Sequence, residues 1–151
     1  MISESKILDH AHQVLRSEAE AILAVDNHLD DSFAKAVELI LECKGRLILS
    51  GIGKSGHIAT KLAATFASTG TPSYFVHAAE AAHGDLGMIT QDDVVIGISY
   101  SGESTELVTI IPTLKREGAK LIAMTGNPSS SLGRYLSLIH ISEPTRQEAI
   151  S

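Results

Sequence analysis

Hydroxyl side chains crowd one short stretch of the chain, Ser99–Glu106. They surround a glycine, Gly102, and are Ser99, Ser101, Ser104 and Thr105. The stretch lies between an apolar run typical of a buried strand and a predicted helix. Hydroxyl groups and the free N–H groups of a helix N-terminus together bind anions such as phosphate. One serine is enough to cap a helix, so the cluster favours an anion site over capping alone.

The segment Ser50–Gly56 is rich in glycine and also follows a predicted strand. Its glycines fit the dinucleotide pattern G-x-G-x-x-G, but that pattern requires an acidic residue at the end of the next strand, where this chain has His77. It also contains Gly-Lys-Ser, the end of a P-loop, but the first P-loop glycine would fall on Ile48, inside the strand. We therefore expect a phosphate-binding turn rather than an NAD or ATP site. The alternative is a tight turn in which Lys54 is incidental.

Acid–base residues gather after the second predicted strand, where the chain has His77, Glu80, His83 and Asp85. Histidine and glutamate are the usual proton-transfer groups near neutral pH. A histidine in such a place can equally be structural. The spacing matches no H-E-x-x-H or similar ligand motif, so we expect no metal.

Short apolar runs alternate with helical patterns along the chain. The predicted strands span 46–50, 73–77, 94–99 and 120–125, and the predicted helices span 3–25, about 31–45, 57–68 and 104–116. Such alternation indicates βαβ units and an α/β fold, a doubly wound parallel sheet in three layers, flavodoxin- or Rossmann-like, preceded by two helices. Ligands of such sheets bind beyond the carboxyl ends of the strands, where both glycine-containing segments fall.

Composition narrows the classes of function. The 151 residues suit one domain, and a net charge of −6 argues against nucleic-acid binding. Cys43 is the only cysteine, so no internal disulfide forms. The first fifteen residues lack the apolar core of a signal peptide, and no apolar run is long enough to span a bilayer. We expect a cytoplasmic protein without membrane or nucleic-acid partners.

Four segments together resemble the arabinose-5-phosphate isomerases, a branch of the SIS (sugar isomerase) superfamily. They are Gly51-Ile-Gly-Lys-Ser-Gly-His57, Ala64-Thr-Phe-Ala-Ser-Thr-Gly-Thr-Pro72, Glu80-Ala-Ala-His-Gly-Asp-Leu-Gly-Met88 and Ser99-Tyr-Ser-Gly-Glu-Ser-Thr-Glu106. The serine segment alone marks only the superfamily, whereas the first and third segments together are specific to this branch. The resemblance runs from about residue 45 to residue 132.

The resemblance implies interconversion of D-arabinose 5-phosphate and D-ribulose 5-phosphate, the entry to the lipopolysaccharide sugar Kdo, without a cofactor. It implies catalytic roles for Lys54, Glu106 and His83. The implied substrate-binding residues are Gly53, Ser55, Ser99, Ser101, Gly102 and Ser104. Relatives are commonly tetrameric, which implies a homo-oligomer, and full-length relatives often carry a C-terminal pair of CBS domains.

The chemistry of the residues agrees with that reaction. Aldose–ketose isomerisation needs a base at carbon, a cation near the oxygens and an anchor for the phosphate. A sugar-phosphate-sensing module without turnover would need the anchor but neither Lys54 nor Glu106. A heptose or hexose phosphate isomerase of the same superfamily is a third possibility, against which the His83–Gly87 segment stands.

The end of the sequence departs from the family. A second glutamate, a histidine and further loops of the family are not found in it. The stretch from Leu136 resembles the translation of a sequencing adapter, although it also has the pattern of a fifth strand. We predict a truncated SIS domain over residues 1–135 and a non-native tail over 136–151, with an incomplete sheet and an incomplete, catalytically deficient site.

Overall fold

A computed structural model describes residues 4–81, 84–135 and 137–140. The helices are α1 (Glu4–Asp26), α2 (Asp31–Leu41), α3 (Gly53–Ser68), α4 (Ala78–Ala81), α5 (Thr105–Arg116) and α6 (Ser131–Tyr135), with a 3₁₀ turn at Asp85–Met88. The strands are β1 (Leu47–Gly51), β2 (Ser73–His77), β3 (Val94–Ile98), β4 (Lys120–Thr125) and β5 (Ser137–His140).

The five strands form one parallel sheet in the order β2-β1-β3-β4-β5. Side chains alternate between its two faces. Leu47 and Leu49 of β1 pack in a cluster with residues of α2 and α3. Ile48 of the same strand packs in a second cluster with residues of α4, α5 and α6. The predicted α/β fold, a parallel sheet between two layers of helices, is thereby confirmed.

The helix after β1 begins earlier than the sequence predicted. We expected it to begin at His57, but α3 begins at Gly53. Ile52 is extended and Gly53 has φ +57°, a conformation that glycine adopts without strain. The Gly56 N–H then donates to the Ile52 carbonyl at 3.2 Å. The glycines thus turn the chain directly from strand into helix.

Three short elements were not predicted: α4, the 3₁₀ turn and α6. Each has only four or five residues, too few to show a helical period in the sequence. At the other end of the described chain, β5 pairs in parallel with β4, with Ser137 opposite Ile122. A strand therefore forms where the sequence allowed one, while the predicted non-native origin of residues 136–151 stays a prediction.

A buried carboxylate ties the amino ends of β1 and β3 together. Asp93 is 1% exposed, and its oxygens accept hydrogen bonds from the N–H of Arg46 at 2.7 Å and the N–H of Thr90 at 2.8 Å. The hydroxyl of Thr90 adds a third bond at 3.0 Å. The Arg46 guanidinium lies 3.8 Å from the same carboxylate and 5.3 Å from the centre of the Tyr74 ring. A buried charge with this many partners stabilises the amino edge of the sheet.

Replacing this carboxylate should destabilise the fold. We expect Asp93→Asn to lower the free energy of unfolding by about 2 kcal/mol, because an amide NH₂ cannot accept the N–H bonds that one carboxylate oxygen accepts. Urea denaturation followed by circular dichroism measures this change. Asp92→Asn is the matched control, because Asp92 is exposed and, among the described residues, accepts hydrogen bonds through its backbone carbonyl rather than its carboxylate. Equal stability of the two variants would contradict the role of Asp93.

Candidate functional site

The order of the strands places a crevice at the carboxyl edge of the sheet, between β1 and β3. These strands are neighbours, with Gly51 opposite Ile98, but they are not consecutive in the chain. The chain leaves β1 into α3 on one face of the sheet and leaves β3 towards α5 on the other. Ligands of doubly wound sheets bind where successive connections diverge in this way.

The first wall of the crevice is the start of α3. Its N-cap residue, Ile52, makes no side-chain capping bond, so the first N–H groups of the helix have no acceptor within it. A Cβ at Gly51 would come within 3.1 Å of the Ile98 carbonyl and 3.0 Å of the Ser55 carbonyl carbon. Glycine at this position therefore lets α3 start directly over the strands. Lys54 is exposed and Ser55 is half-buried in this first turn.

The second wall is the serine turn, which runs from Ser99 to Ser104 before α5. Gly102 has φ +68°, and a Cβ there would collide with the Ser130 side chain and approach the Thr125 hydroxyl to 2.7 Å. Ser99 is 6% exposed, and its hydroxyl accepts a hydrogen bond from the Gly102 N–H at 3.1 Å. This predicted ligand serine thus also holds the turn, an intramolecular bond that the sequence did not indicate.

Ser101 and Ser104, the remaining predicted serines of the turn, are more exposed to solvent than Ser99. Ser101 is exposed, and its hydroxyl accepts from the Glu103 N–H at a long 3.3 Å. Ser104 is the N-cap of α5 but makes no side-chain capping bond. The N–H groups in the first turn of α5, including that of Glu106, have no acceptor within the helix. These hydroxyls and amides can bind an anion together.

A brace from the loop after β4 holds the serine turn in place. The Tyr100 carbonyl accepts from the Gly126 N–H at 2.9 Å, and the Gly102 carbonyl accepts from the Leu132 N–H at 2.9 Å. The Glu103 carboxylate accepts from the Ser131 N–H at 2.8 Å. Sequence reasoning missed this brace, because its partners lie about one βα unit away in the chain.

Electrostatics favours the brace at neutral pH. Hydrogen bonds from Ser131, first through its side chain and then through its backbone, hold the pKa of Glu103 below its ordinary value of 4.5. A lowered pKa in the folded state means that the bonds favour the ionised carboxylate. The contact is therefore complete at neutral pH and is lost only as acid protonates Glu103.

The two main candidates for catalysis lie at the same edge of the sheet. Lys54 is in the first turn of α3 and Glu106 is in the first turn of α5, and both are exposed to an approaching ligand. His83, the third candidate, lies outside the described residues. His77 has a structural contact, because its Nδ1 accepts from the Ala79 N–H at 3.3 Å at the start of α4.

Two kinds of feature are absent from the described residues, 4–81, 84–135 and 137–140. Within them, no group of three histidine, cysteine, aspartate or glutamate side chains could hold a metal ion. No helix in those parts is long and apolar enough to cross a membrane.

A small cleft of about 170 Å³ opens beside the serine turn, on the α3 side of the sheet. Its lining residues come from the start of α3 and the ends of β3 and β4, and are Ser55, Ile58, Ile98, Tyr100, Met124, Thr125 and Gly126. Pockets for drug-sized ligands hold roughly 300–1,000 Å³, so this cleft suits part of a small molecule.

Comparison with known proteins agrees with this fold and this placement of loops. The SIS domain family model matches residues 39–150, which is most of the chain, so the chain belongs to the SIS domain family. Within that family, it is 51% identical over 137 residues to arabinose 5-phosphate isomerase KdsD of Yersinia pestis, and 53% identical over 133 residues to the enzyme of the same name from Pseudomonas aeruginosa. These alignments cover 91% and 86% of this chain but only 42% and 41% of the relatives.

Solved structures of other proteins are also similar to this chain. A protein of Escherichia coli CFT073 in complex with arabinose 5-phosphate is 44% identical and superposes with a TM-score of 0.85, covering 91% of this chain and 73% of that one. A Listeria monocytogenes protein described as a sugar-phosphate isomerase is 33% identical, with a TM-score of 0.88 over 97% of this chain and 79% of its own.

Proposed function

We propose that this chain forms the sugar-phosphate site of an isomerase that interconverts D-arabinose 5-phosphate and D-ribulose 5-phosphate. The observation that carries the proposal is the meeting of three features at one edge of the sheet: the serine turn, the Lys54 amine and the Glu106 carboxylate. The names of the similar curated enzymes and the arabinose 5-phosphate bound to the similar E. coli protein support the choice of substrate.

The phosphate is anchored by the serine turn and the start of α3. Ser101 and Ser104 donate their hydroxyl protons, and N–H groups of the two helix starts add charge-assisted bonds. Gly53 and Gly102 keep the backbone close to the ligand, and Ser55 and Ser99 complete the predicted set. Binding the phosphate at a distance from the reacting carbons holds them in place for proton transfer.

Proton transfer takes place at C1 and C2 of the open-chain sugar. Glu106 removes the proton from C2 of the aldose while O1 gains a proton, which forms the enediol. Loss of the O2 proton and return of a proton to C1 give the ketose. Lys54 stabilises negative charge on O1 and O2 during both steps. His83 is a further acid–base candidate, and no step requires a cofactor.

The serines should separate into ligand-binding and turn-forming groups. We expect Ser101→Ala to weaken binding of arabinose 5-phosphate about tenfold, because it removes one hydrogen bond to a charged group. Ser99→Ala should instead lower the melting temperature, because it removes the buried hydroxyl, one of two oxygens that accept from the Gly102 N–H; the other, the Ser99 carbonyl at 3.1 Å, remains. Isothermal titration and thermal melting measure the two effects. An unchanged affinity in Ser101→Ala would argue against the anchor.

Glu106 should be required for turnover and dispensable for binding. We expect Glu106→Gln to lower kcat by about 10²- to 10⁴-fold while arabinose 5-phosphate still binds. The background is a chimera in which residues 4–135 replace the matching segment of the Yersinia pestis relative, which supplies the remainder of that enzyme. Incorporation of deuterium at C2 in D₂O, followed by NMR, measures the reaction.

Glu117→Gln is the matched control for this experiment. Glu117 is exposed just after α5, and its carboxylate lies 3.6 Å from Nε of Arg116, so loss of its charge should leave turnover unchanged. Full activity of Glu106→Gln would remove Glu106 from the mechanism. A chimera that binds arabinose 5-phosphate but exchanges no deuterium would favour the alternative, a sugar-phosphate-binding SIS module without catalysis.

We also propose that copies of the chain associate, as a homotetramer in the form implied by the resemblance. Only Ala21 of the 23 residues of α1 is buried. Large apolar side chains line one side of this helix and are Ile7, Leu8, Val14, Leu15, Ile22 and Leu23, between 37% and 72% exposed. An apolar stripe of this size marks an interaction surface, and symmetric oligomers pair the same surface on each copy.

Charge on the stripe should break this association. Leu15 is 68% exposed, and we expect Leu15→Glu to convert the oligomer to monomers, because an unpaired carboxylate would be buried between copies. Size-exclusion chromatography with light scattering measures the mass. Gln13→Glu, on the polar side of α1, is the matched control and should leave the mass unchanged. If the unaltered protein has the mass of a monomer, the proposal is contradicted.

The wider setting stays a set of predictions. The cytoplasmic location, the place in Kdo synthesis and the boundary between a domain at 1–135 and a non-native tail at 136–151 are proposed from the sequence. Sequencing the gene beyond the codon for Tyr135 tests that boundary.

A further inference from the structure

Tyr100 stands at the junction between the serine turn and the neighbouring cleft. It lies between Ser99 and Ser101 in the chain, and it lines the cleft of about 170 Å³. Ser55, assigned above to the phosphate anchor, lines the same cleft. A phosphate held by the serine turn therefore has this cleft beside it, within the reach of a short carbon chain.

The position of the tyrosine is tightly set. Its carbonyl accepts hydrogen bonds from the Gly126 N–H at 2.9 Å and from the Thr125 hydroxyl at 3.2 Å. Its ring lies close enough to Gly126 that a Cβ there would come within 2.8 Å of Cε2 and 2.9 Å of Cδ2. The residue is nevertheless 44% exposed and lines the cleft, so part of its surface is open to a ligand.

The other side chains of the cleft are mainly aliphatic. Ile58, Ile98 and Met124 offer no side-chain hydrogen bonds, and the Thr125 hydroxyl is already engaged with Tyr100 and the Asn127 N–H. Such a lining contacts the C–H groups of a ligand rather than its hydroxyls. Among these residues, Tyr100 presents the only aromatic ring, and a ring is the broadest rigid apolar surface that a side chain supplies.

We propose that Tyr100 is a substrate-positioning residue, whose ring forms the surface against which the carbon chain of a small phosphosugar packs. The proposal rests on the proposed function, because it takes the serine turn as the anchor of the phosphate. The ring fixes the direction in which the carbons leave the phosphate, and correct direction governs whether the reacting carbon meets its base. Tyr100 thus distinguishes a phosphosugar from free phosphate, which the serine turn binds equally.

Two ligands and three variants test this role in the chain as it stands. The ligands are arabinose 5-phosphate and inorganic phosphate, and their dissociation constants are measured by NMR titration. We expect Tyr100→Ala to weaken binding of the sugar phosphate about tenfold and to leave phosphate binding unchanged. Tyr100→Phe should stay within about twofold of the unaltered protein for both ligands, because it keeps the ring.

Tyr135→Ala is the matched control. Tyr135 is 46% exposed in α6 and does not line the cleft, and Nζ of Lys115 lies 5.3 Å from the centre of its ring. It should bind both ligands as the unaltered protein does. If Tyr100→Ala weakens both ligands equally, the residue only shapes the turn and the proposal is overturned. Unchanged binding of the sugar phosphate, or a loss in Tyr100→Phe as large as in Tyr100→Ala, overturns it as well.

Failure of the proposed function gives a different result. In that case the unaltered protein binds neither ligand, and the assignment of Tyr100 falls with it. If the unaltered protein binds both ligands, the anchor stands, and the variants alone decide the role of Tyr100.

Discussion

The site depends on the backbone N–H groups at the starts of α3 and α5, which the described residues leave without a side-chain cap. Each helix begins where a strand ends, and the two strands concerned are neighbours in the sheet. Neither helix start carries a side-chain cap, so these amides remain available at one edge. A parallel sheet brings such groups together by its topology, and an anion is the ligand that they bind best.

Hydrogen bonds between polar groups in and around the serine turn hold it in this geometry. The Ser99 hydroxyl bonds within the turn, and the buried Ser130 hydroxyl accepts from the Gly133 N–H. Gly102 lies between them in a left-handed conformation that leaves no room for a side chain. Buried hydroxyls therefore set the shape of the turn, and the outer Ser101 and Ser104 remain for a ligand. A rigid anchor of this kind loses little entropy on binding.

The two faces of the sheet supply different parts of the proposed chemistry. Lys54 belongs to the helix on one face and Glu106 to the helix on the other, so a ligand in the crevice meets a cation and a carboxylate from opposite sides. The cleft that Tyr100 lines has Ser55 and Ile58 of α3 as its helical wall. A phosphosugar anchored at the serine turn thus has one direction in which its carbons contact an apolar wall.

The sequence by itself determined the layers, the parallel strands and the location of the serine and glycine segments at strand ends. These follow from local periodicity and from turn residues, which are visible over a few positions. Only the tertiary structure decided that α3 begins at Gly53, that Ser99 is buried, and that the Tyr100 ring rests on Gly126. Those features come from contacts between residues far apart in the chain or from close packing of backbone, neither of which leaves a local pattern in the sequence.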